Sequence, residues 1–455
     1  MGIIRRPNGG AKAVTFGFRG EKSGLLLVLV LAAACASGTG QTSTDATIQS
    51  LQTHLKMYPQ DFKAYDALGA SYIQKGRETA DASYYELAKE ALDKSLDLVA
   101  NDPAAASAKT HMAVVAMAEH QFQEALSWAQ AALALGSGDP SPWAIVGDAL
   151  TDLGEYERAD EAYGRLRDPL RDESSGLAYE RNSRMAYLHF LRGDASGAVK
   201  LMRTAITVAM TLHLPVENVA WSQYQLGDIC FKSGDLIGAE QAYRAGLDID
   251  PHSYRNLAGL GEVRTAQGRY PEAIALYRKA IAVVPFPSFA AAIYDLDLQV
   301  GHPDDAHKQL ALLEFISTLN PLNERLFYRE LALFYADHDF KLKESVELAK
   351  KELEVRHDIY TWDIMAWVLF KNGRAPEAAE AVEKALALGT GDALLDFHAG
   401  MIASQLGHNE RARTMFRRAL TLNPQFHLVY AGQAREKLGQ LADSAAVGET
   451  YGSGR

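Results

Sequence analysis

The side chains best able to do chemistry in this 455-residue chain are its 13 histidines. His302 and His307 flank acidic residues in GHPDDAH, and these residue types could ligate a metal ion. The motif falls in a turn between two helical stretches, where solvated polar residues are ordinary. His398 follows Asp396 and Phe397 in an apolar helical stretch, which favours a packed or groove-facing histidine over a ligand. We therefore expect no metal and no cofactor.

Two glycine-rich tetrapeptides, GSGD at 136–139 and GTGD at 389–392, have a composition compatible with phosphate binding. Each lies between two helical stretches, so the simpler interpretation is a turn followed by an aspartate that caps the next helix. The chain has no H-E-x-x-H, G-x-S-x-G or P-loop motif. An enzyme hidden in the helices would need clustered polar groups with perturbed pKa values, and no such cluster is visible. No catalytic residue is predicted.

Small residues at fixed spacing organise the helical stretches. Each of four glycines is followed by a glycine at plus seven, an alanine at plus twelve and an aromatic residue at plus sixteen. The four glycines are Gly147, Gly227, Gly261 and Gly400. The copy around Ala366 keeps Gly373 and Ala378 but has Val382 in place of the aromatic residue. Because glycine and alanine lack a bulky side chain, two helices can approach closely there and the aromatic ring fills the gap.

These copies recur with a period of 34 residues, as from Gly227 to Gly261 and from Ala366 to Gly400. Ala113 to Gly147 spans the same 34 residues, and weaker copies centre on Gly69, Ala186, Tyr294 and Ala332, which makes about ten. The pattern resembles the tetratricopeptide repeat over residues 64–424. The resemblance implies an all-α fold, a right-handed α-solenoid of about ten helix-turn-helix repeats. The seventh and eighth copies depart most from the pattern.

Turn and breaker residues set the limits of the repeats. Gly154 and its equivalents predict left-handed turn residues, and Pro251, Pro285 and Pro424 predict the ends of second helices. The stretch 426–441 predicts a capping helix, so the solenoid is expected over 48–441 and a disordered tail over 442–455.

The N-terminal 36 residues have the composition of a secretory signal. The first 34 carry a net charge of +4 within a chain of net charge −11, and an apolar run of about a dozen residues follows the basic lead. A buried core helix is the alternative, and the true start could lie further in. Residues 31–35, LAAAC, resemble a lipobox that would lipidate Cys35, although cleavage after the triplet 32–34 fits as well. Residues 37–47 predict a flexible linker.

Export predicts a periplasmic protein or a membrane-anchored lipoprotein, with the lipid on Cys35 as its only membrane contact. Cys230 would then have no intrachain partner, so it should be buried. The acidic composition lacks the basic face of a nucleic-acid-binding protein.

The tetratricopeptide resemblance implies that the first helices line a concave groove for protein or peptide partners. We predict a partner-binding groove formed by Tyr187, Phe190, Trp221, Tyr224, Asp228, Phe231, Lys232, Tyr360, Asp363, Trp367, Phe370, Lys371 and Phe397. Alternatively, neighbouring repeats cover these rings. The leading hypothesis is a non-enzymatic scaffold of the bacterial cell envelope that binds protein segments in the groove. The second hypothesis is an accessory subunit of an envelope enzyme or transporter complex.

Overall fold

The computed structural model describes residues 43–99, 102–166, 175–319 and 321–452. Within these ranges every regular element is a helix and there is no strand, which confirms the predicted all-α class. The described residues from Thr47 onward form one compact unit. The predicted signal at 1–36, the lipidation site Cys35 and residues 37–42 of the linker lie outside the described residues.

Ten consecutive helix pairs make up the described solenoid, as the repeat count predicted. They are α2 (Phe62–Thr79) and α3 (Ser83–Val99), α4 (Ala106–Ala118) and α5 (Phe122–Ala134), α6 (Pro142–Asp152) and α7 (Tyr156–Gly164), α8 (Gly176–Leu191) and α9 (Ala195–Thr211), α10 (Val216–Lys232) and α11 (Leu236–Ile249), α12 (Tyr254–Ala266) and α13 (Tyr270–Val283), α14 (Pro287–Gln299) and α15 (Pro303–Ser317), α17 (Tyr328–Asp337) and α18 (Leu342–Val355), α19 (Ile359–Lys371) and α20 (Ala375–Ala385), and α21 (Ala393–Gln405) and α22 (Asn409–Leu422). Helix α1 (Ser43–Met57) precedes them, α16 (Pro321–Leu326) is a short insertion before the eighth pair, and α23 (Tyr430–Gly452) follows them.

The aromatic residue of the repeat fills the space beside the small residue, as the spacing predicted. A Cβ atom built on Gly227 would lie 2.4 Å from the ring of Tyr243, and one on Gly400 would lie 2.7 Å from the ring of Phe416. Real Cβ contacts are never that short, so only glycine lets the aromatic ring lie against the first helix at these positions. Ala239, twelve residues after Gly227, is also fully buried.

The predicted breakers end the helices where expected. Helices α11, α13 and α22 end two residues before Pro251, Pro285 and Pro424. The turn glycines of the pairs have positive φ values, +77° at Gly154 and +83° at Gly234. That backbone conformation is costly for residues with a side chain, which explains the glycine at this position.

Helix limits differ from the sequence prediction at both ends. Helix α1 begins at Ser43, inside the predicted linker. Its apolar residues Ile48, Leu51 and Leu55 pack into the hydrophobic core of the first two repeats, which stabilises the helix. Helix α23 continues through Gly452, where a disordered tail was predicted from residue 442. The sequence 442–447, ADSAAV, contains no proline and is rich in alanine, which favours continued helix.

Repeats that are far apart in sequence touch each other in space. The main-chain N–H of His357 donates to the carbonyl of Asp152 at 2.8 Å, and that of Ile359 donates to the hydroxyl of Tyr156 at 2.9 Å. These contacts join the third repeat to the junction between the eighth and ninth. The first half of the solenoid (repeats one to five) and the second half (repeats six to ten) are therefore in direct contact here.

Candidate partner-binding site

The first helices of the repeats place equivalent side chains on one surface, which we call the inner wall. Tyr187, Asp228 and Trp367 each directly follow the small residue of their repeat, so they occupy the same position on α8, α10 and α19. Lys232 on α10 forms an ion pair with Asp228 at 3.0 Å. Its Nζ atom also lies 4.9 Å from the ring centroid of Tyr360 on α19. Predicted groove residues from the two halves of the chain thus meet each other.

Lys232 is surrounded by carboxylates and tyrosine hydroxyl groups, which determine its protonation. Burial acts to lower the pKa of Lys232, but Asp228, Tyr360 and Asp392 together raise it well above its usual value. Tyr360 donates a hydrogen bond from its hydroxyl to Asp392 at 3.2 Å. Burial raises the pKa of Asp392, and Lys232 partly offsets that rise. Asp392 is the last residue of GTGD and also caps α21 through the N–H of Leu394, as the capping interpretation predicted.

An acidic inner-wall residue that the sequence prediction missed is Glu262 on α12. It is half-buried, and no hydrogen bond or ion pair reaches its carboxylate from the described residues. Burial, followed by repulsion from Asp228, raises its pKa to about 8. Glu262 directly follows Gly261, so the register that selected Tyr187 and Asp228 would also have selected it.

The same register places further acids on the inner wall, and these have partners. Asp148 follows Gly147 and accepts from Nε of Arg184 at 2.8 Å. Asp295 lies 3.2 Å from Nε2 of His338. The predicted groove residues are mostly aromatic and include none of Asp148, Glu262 and Asp295.

The C-terminal part of the predicted groove is covered by the chain itself. Trp367 is 1% exposed and Phe397 is fully buried. Tyr430, the first residue of α23, stacks on Phe397 with 4.7 Å between ring centroids. The indole N–H of Trp367 donates to Asp337 at 2.7 Å, and the hydroxyl of Tyr430 donates to the same carboxylate oxygen at 2.5 Å. The first residue of α23 therefore covers this end of the inner wall.

The predicted groove residues fall into two groups by exposure. Five are buried, namely Phe190, Phe231, Asp363, Trp367 and Phe397. The half-buried ones are Tyr187, Trp221, Tyr224, Asp228, Lys232, Tyr360, Phe370 and Lys371. The alternative that neighbouring repeats cover the rings describes the first group. Phe190 and Phe231 lie in a core cluster of the fourth to sixth repeats, and Trp367 and Phe397 pack against Tyr430 of α23. Partner binding stays a prediction, and in this conformation a partner can reach only the second group.

The histidines lie where the sequence suggested. His302 and His307 are exposed at the turn before α15 and along it. His398 is fully buried, its Nδ1 lies 2.9 Å from Asp363, and its ring stacks on Trp367 at 4.1 Å. Among the described residues, no group of three or more His, Cys, Asp or Glu residues is arranged to hold a metal ion.

Cys230 is buried, as predicted, and burial raises the pKa of its thiol to about 11. In the part of the chain that the structure describes, no helix has both the length and the apolar character that a membrane span needs.

Sequence profiles of known families recognise two parts of this solenoid. Residues 231–296, which run from the end of α10 into α14, match a profile described as tetratricopeptide repeat. Residues 397–426, which include α22, match a second profile with the same description.

Among curated proteins, the chain is similar to Protein CTR9 homolog from Arabidopsis thaliana, with 23% identity over 346 residues. That alignment covers 72% of this chain but 29% of the relative, so the chain spans less than a third of the relative's length.

Three similar solved structures have TM-scores of 0.33. A tetratricopeptide repeat protein from Parabacteroides merdae ATCC 43184 is 18% identical, and the match covers 59% of this chain and all of that one. The APC/C hetero-tetramer Cut9–Hcn1 is 14% identical, with 90% and 98% covered. Yeast Tom70 is 14% identical, with 82% and 96% covered. The matched repeats and the ten helix pairs together show that this chain is an all-α solenoid that carries tetratricopeptide repeats.

Proposed function

We propose that the protein is a non-enzymatic scaffold that binds segments of partner proteins along its inner wall. The observation that carries this proposal is the presence on that wall of half-buried side chains that have no hydrogen-bond partner among the described residues. Trp221 on α10 is half-buried, and within the described ranges its indole N–H has no acceptor. Glu262 on α12 is half-buried and has no donor. Because both side chains are only half-buried and make no hydrogen bond to the described chain, they are available to a partner segment.

The chemistry of these two residues defines the partner segment. Aromatic side chains often dominate the binding energy at protein interfaces, so Trp221 suits an apolar side chain. Glu262 suits a basic side chain, because a nearby positive charge stabilises an ionised carboxylate. Binding would then lower the pKa of Glu262 and release a proton. We expect the affinity to rise with pH up to about pH 8 and to lose this dependence in Glu262→Gln.

Affinity purification with matched variants tests the proposal. The full chain serves as bait in an extract of its own source cells, and retained proteins are identified by mass spectrometry. We expect Trp221→Ala and Glu262→Gln each to lose a partner that the wild type retains. Ile237→Ala is the control, because Ile237 lies on the second helix α11 and is 74% exposed. The proposal is wrong if both inner-wall variants keep every partner.

Buried aromatic residues of the wall are poor choices for this test. Trp367 and Phe231 are 1% and 4% exposed, so truncating them would create core cavities. Any loss of binding would then report misfolding rather than a missing contact.

We further propose that the scaffold acts in the bacterial cell envelope, exported and anchored by a lipid on Cys35. This location rests on the basic lead, the apolar run and the LAAAC stretch of the sequence. Mass spectrometry of the mature N-terminus tests it. A diacylglyceryl group on Cys35 supports anchoring, whereas a free terminus at Cys35 or Ser37 shows export without an anchor. An uncleaved N-terminus would contradict export.

A further inference from the structure

We propose that contacts between the two halves of the solenoid form a single latch that closes the inner wall, and that the latch opens without unfolding of the helix pairs. We call these contacts the seam. It joins the hairpin turns of the third, fourth and fifth repeats to the junctions that follow the eighth, ninth and tenth repeats. The gating role rests on the proposed function, but the seam itself can be measured without any partner.

The first contact of the seam lies between the α6–α7 turn and the α18–α19 junction. The amides of His357 and Ile359 donate to Asp152 and Tyr156 across the two halves, at 2.8 and 2.9 Å. Nε of Arg356 also lies 3.0 Å from the Asp152 carboxylate. Both amides belong to the second half, yet their acceptors belong to the first half. Their protection from exchange therefore reports directly on closure of the seam.

The second and third contacts repeat this arrangement one and two repeats further on. The hydroxyl of Thr390, in GTGD, donates to the carbonyl of Leu191 at the α8–α9 turn. Nδ2 of Asn423 donates to the carbonyl of Phe231 at 2.8 Å, and this hydrogen bond is buried. The GTGD motif, which resembled a phosphate loop, thus serves as a docking element within the chain. Three contacts in register over three consecutive repeats indicate a built interface rather than a chance approach.

Glycine geometry separates the turns that take part in the seam from those that do not. A Cβ atom on Gly154, Gly193 or Gly234 would lie 2.6, 2.7 or 2.0 Å from a carbonyl oxygen of the opposite half. Gly268 and Gly373 occupy the same turn position with the same positive φ, but a Cβ atom there would meet nothing within 4 Å. The first set of glycines therefore lets two backbones touch, whereas the second set serves only its own turn.

Closure of the seam also decides what the inner wall exposes. Lys232 on α10 contacts the ring of Tyr360 on α19, and this contact exists only while the halves are together. Each helix pair, in contrast, is held by its own sequence neighbours, as Gly227 and Tyr243 show. Breaking the seam would thus expose the inner wall while each helix pair stays folded. The closed and the open seam are the two states that a latch requires.

Hydrogen exchange of two seam amides tests whether the seam is one unit. Gly234→Ala inserts a methyl group at the third contact, while the readout is the exchange of the His357 and Ile359 amides at the first contact. We expect both amides to exchange at least about tenfold faster, with far-UV circular dichroism unchanged. Gly268→Ala is the matched control, since it adds the same backbone strain at a turn outside the seam. It should leave both amides at the wild-type rate.

Three outcomes would overturn the latch. Unchanged exchange at His357 and Ile359 would show that the contacts are independent. Equal acceleration of amides throughout the chain would show that the seam cannot open without unfolding. An equal effect of Gly268→Ala would trace the acceleration to turn strain.

Thr390→Val provides a milder second variant if Gly234→Ala fails to fold, since it removes one hydroxyl at nearly constant shape. It should accelerate the same two amides. A fluorescent probe of apolar surface, bis-ANS, should bind more strongly to both seam variants than to Gly268→Ala. Equal probe binding would show that the seam does not cover the inner wall. Loss of partner binding in the inner-wall variants of the proposed function is a separate result, because neither exchange nor probe binding depends on a partner.

Discussion

The ring of Tyr163 occupies the space in which a side chain at Gly147 would stand. A Cβ atom on Gly147 would lie 2.2 Å from Cε1 of this ring. Tyr163 is 3% exposed, and its hydroxyl donates to Asp148 at 2.9 Å, so the ring is fixed from both sides. The absence of a side chain at Gly147 is thus what lets the large ring of Tyr163 pack against the first helix.

Gly147→Ala should therefore destabilise the protein although alanine favours helix. Overpacking of this kind costs about 1 to 3 kcal/mol, more than the helix propensity of alanine returns. The midpoint of urea unfolding, followed by circular dichroism, measures the change. Gly164→Ala is the control, because a Cβ atom at this helical, exposed glycine meets nothing within 4 Å. Because Gly164 is the last residue of α7, this change should be neutral or slightly stabilising. Equal effects of both changes would contradict the steric account.

The sequence predicted the repeat architecture well because its determinants are local. Gly147, Gly154 and Tyr163 lie within one 34-residue period, and each acts on its own helix pair. The proline at 251 likewise ends the helix just before it. Local steric rules of this kind repeat along the chain, so their period is visible in the sequence.

The closure of the wall could not be predicted because its partners are about 200 residues apart. Ile359 and Tyr156 are separated by 203 positions, and nothing in either local pattern points to the other. The buried state of Trp367 depends on Tyr430 in the capping helix, which the repeat register alone does not specify. Glu262 could have been found, because it follows Gly261 as Asp228 follows Gly227.

Tyr430→Phe should weaken the attachment of the capping helix. The change removes one hydrogen bond to Asp337 and leaves the ring stacked on Phe397. A hydrogen bond to a charged group contributes about 1.5 to 3 kcal/mol, and the lower part of that range is expected for this partly buried one, so the thermal unfolding midpoint should fall. Tyr58→Phe is the control, because Tyr58 is 57% exposed, and it should have little effect. An unchanged midpoint in Tyr430→Phe would show that the hydroxyl does not hold the cap.

Cys230 should resist alkylation until the protein unfolds. The side chain is 3% exposed and the thiol pKa is raised to about 11, so little thiolate forms near neutral pH. With iodoacetamide at about pH 8, the peptide that contains Cys230 should stay unmodified in native protein and become fully modified in concentrated urea. Peptide mass mapping separates this residue from Cys35. Rapid modification of the native protein would show that α10 is more open than its packing indicates.

Glu262 should make stability fall as the pH rises. Its folded pKa of about 8 lies above the ordinary value of 4.5, so the folded state holds this proton more tightly than the unfolded state. The advantage is complete below about pH 4.5 and is lost progressively up to about pH 8. Glu262→Gln cannot ionise and should lack this loss. At about pH 8.5 the variant should be more stable than the wild type by about 1 to 3 kcal/mol, less than a full 1.36 kcal/mol per pKa unit because water reaches the wall.

The comparison of wild type and Glu262→Gln at two pH values isolates this carboxyl group from all others. Urea midpoints near pH 4 should agree, and those near pH 8.5 should differ in favour of the variant. Glu157→Gln, at an exposed position on α7, controls for the loss of one negative charge and should shift both midpoints little. Equal pH profiles of the wild type and Glu262→Gln would show that the carboxylate is already compensated on the inner wall. The unpaired carboxylate on which the proposed partner binding rests would then be absent, because a compensated Glu262 would gain little from a further positive charge.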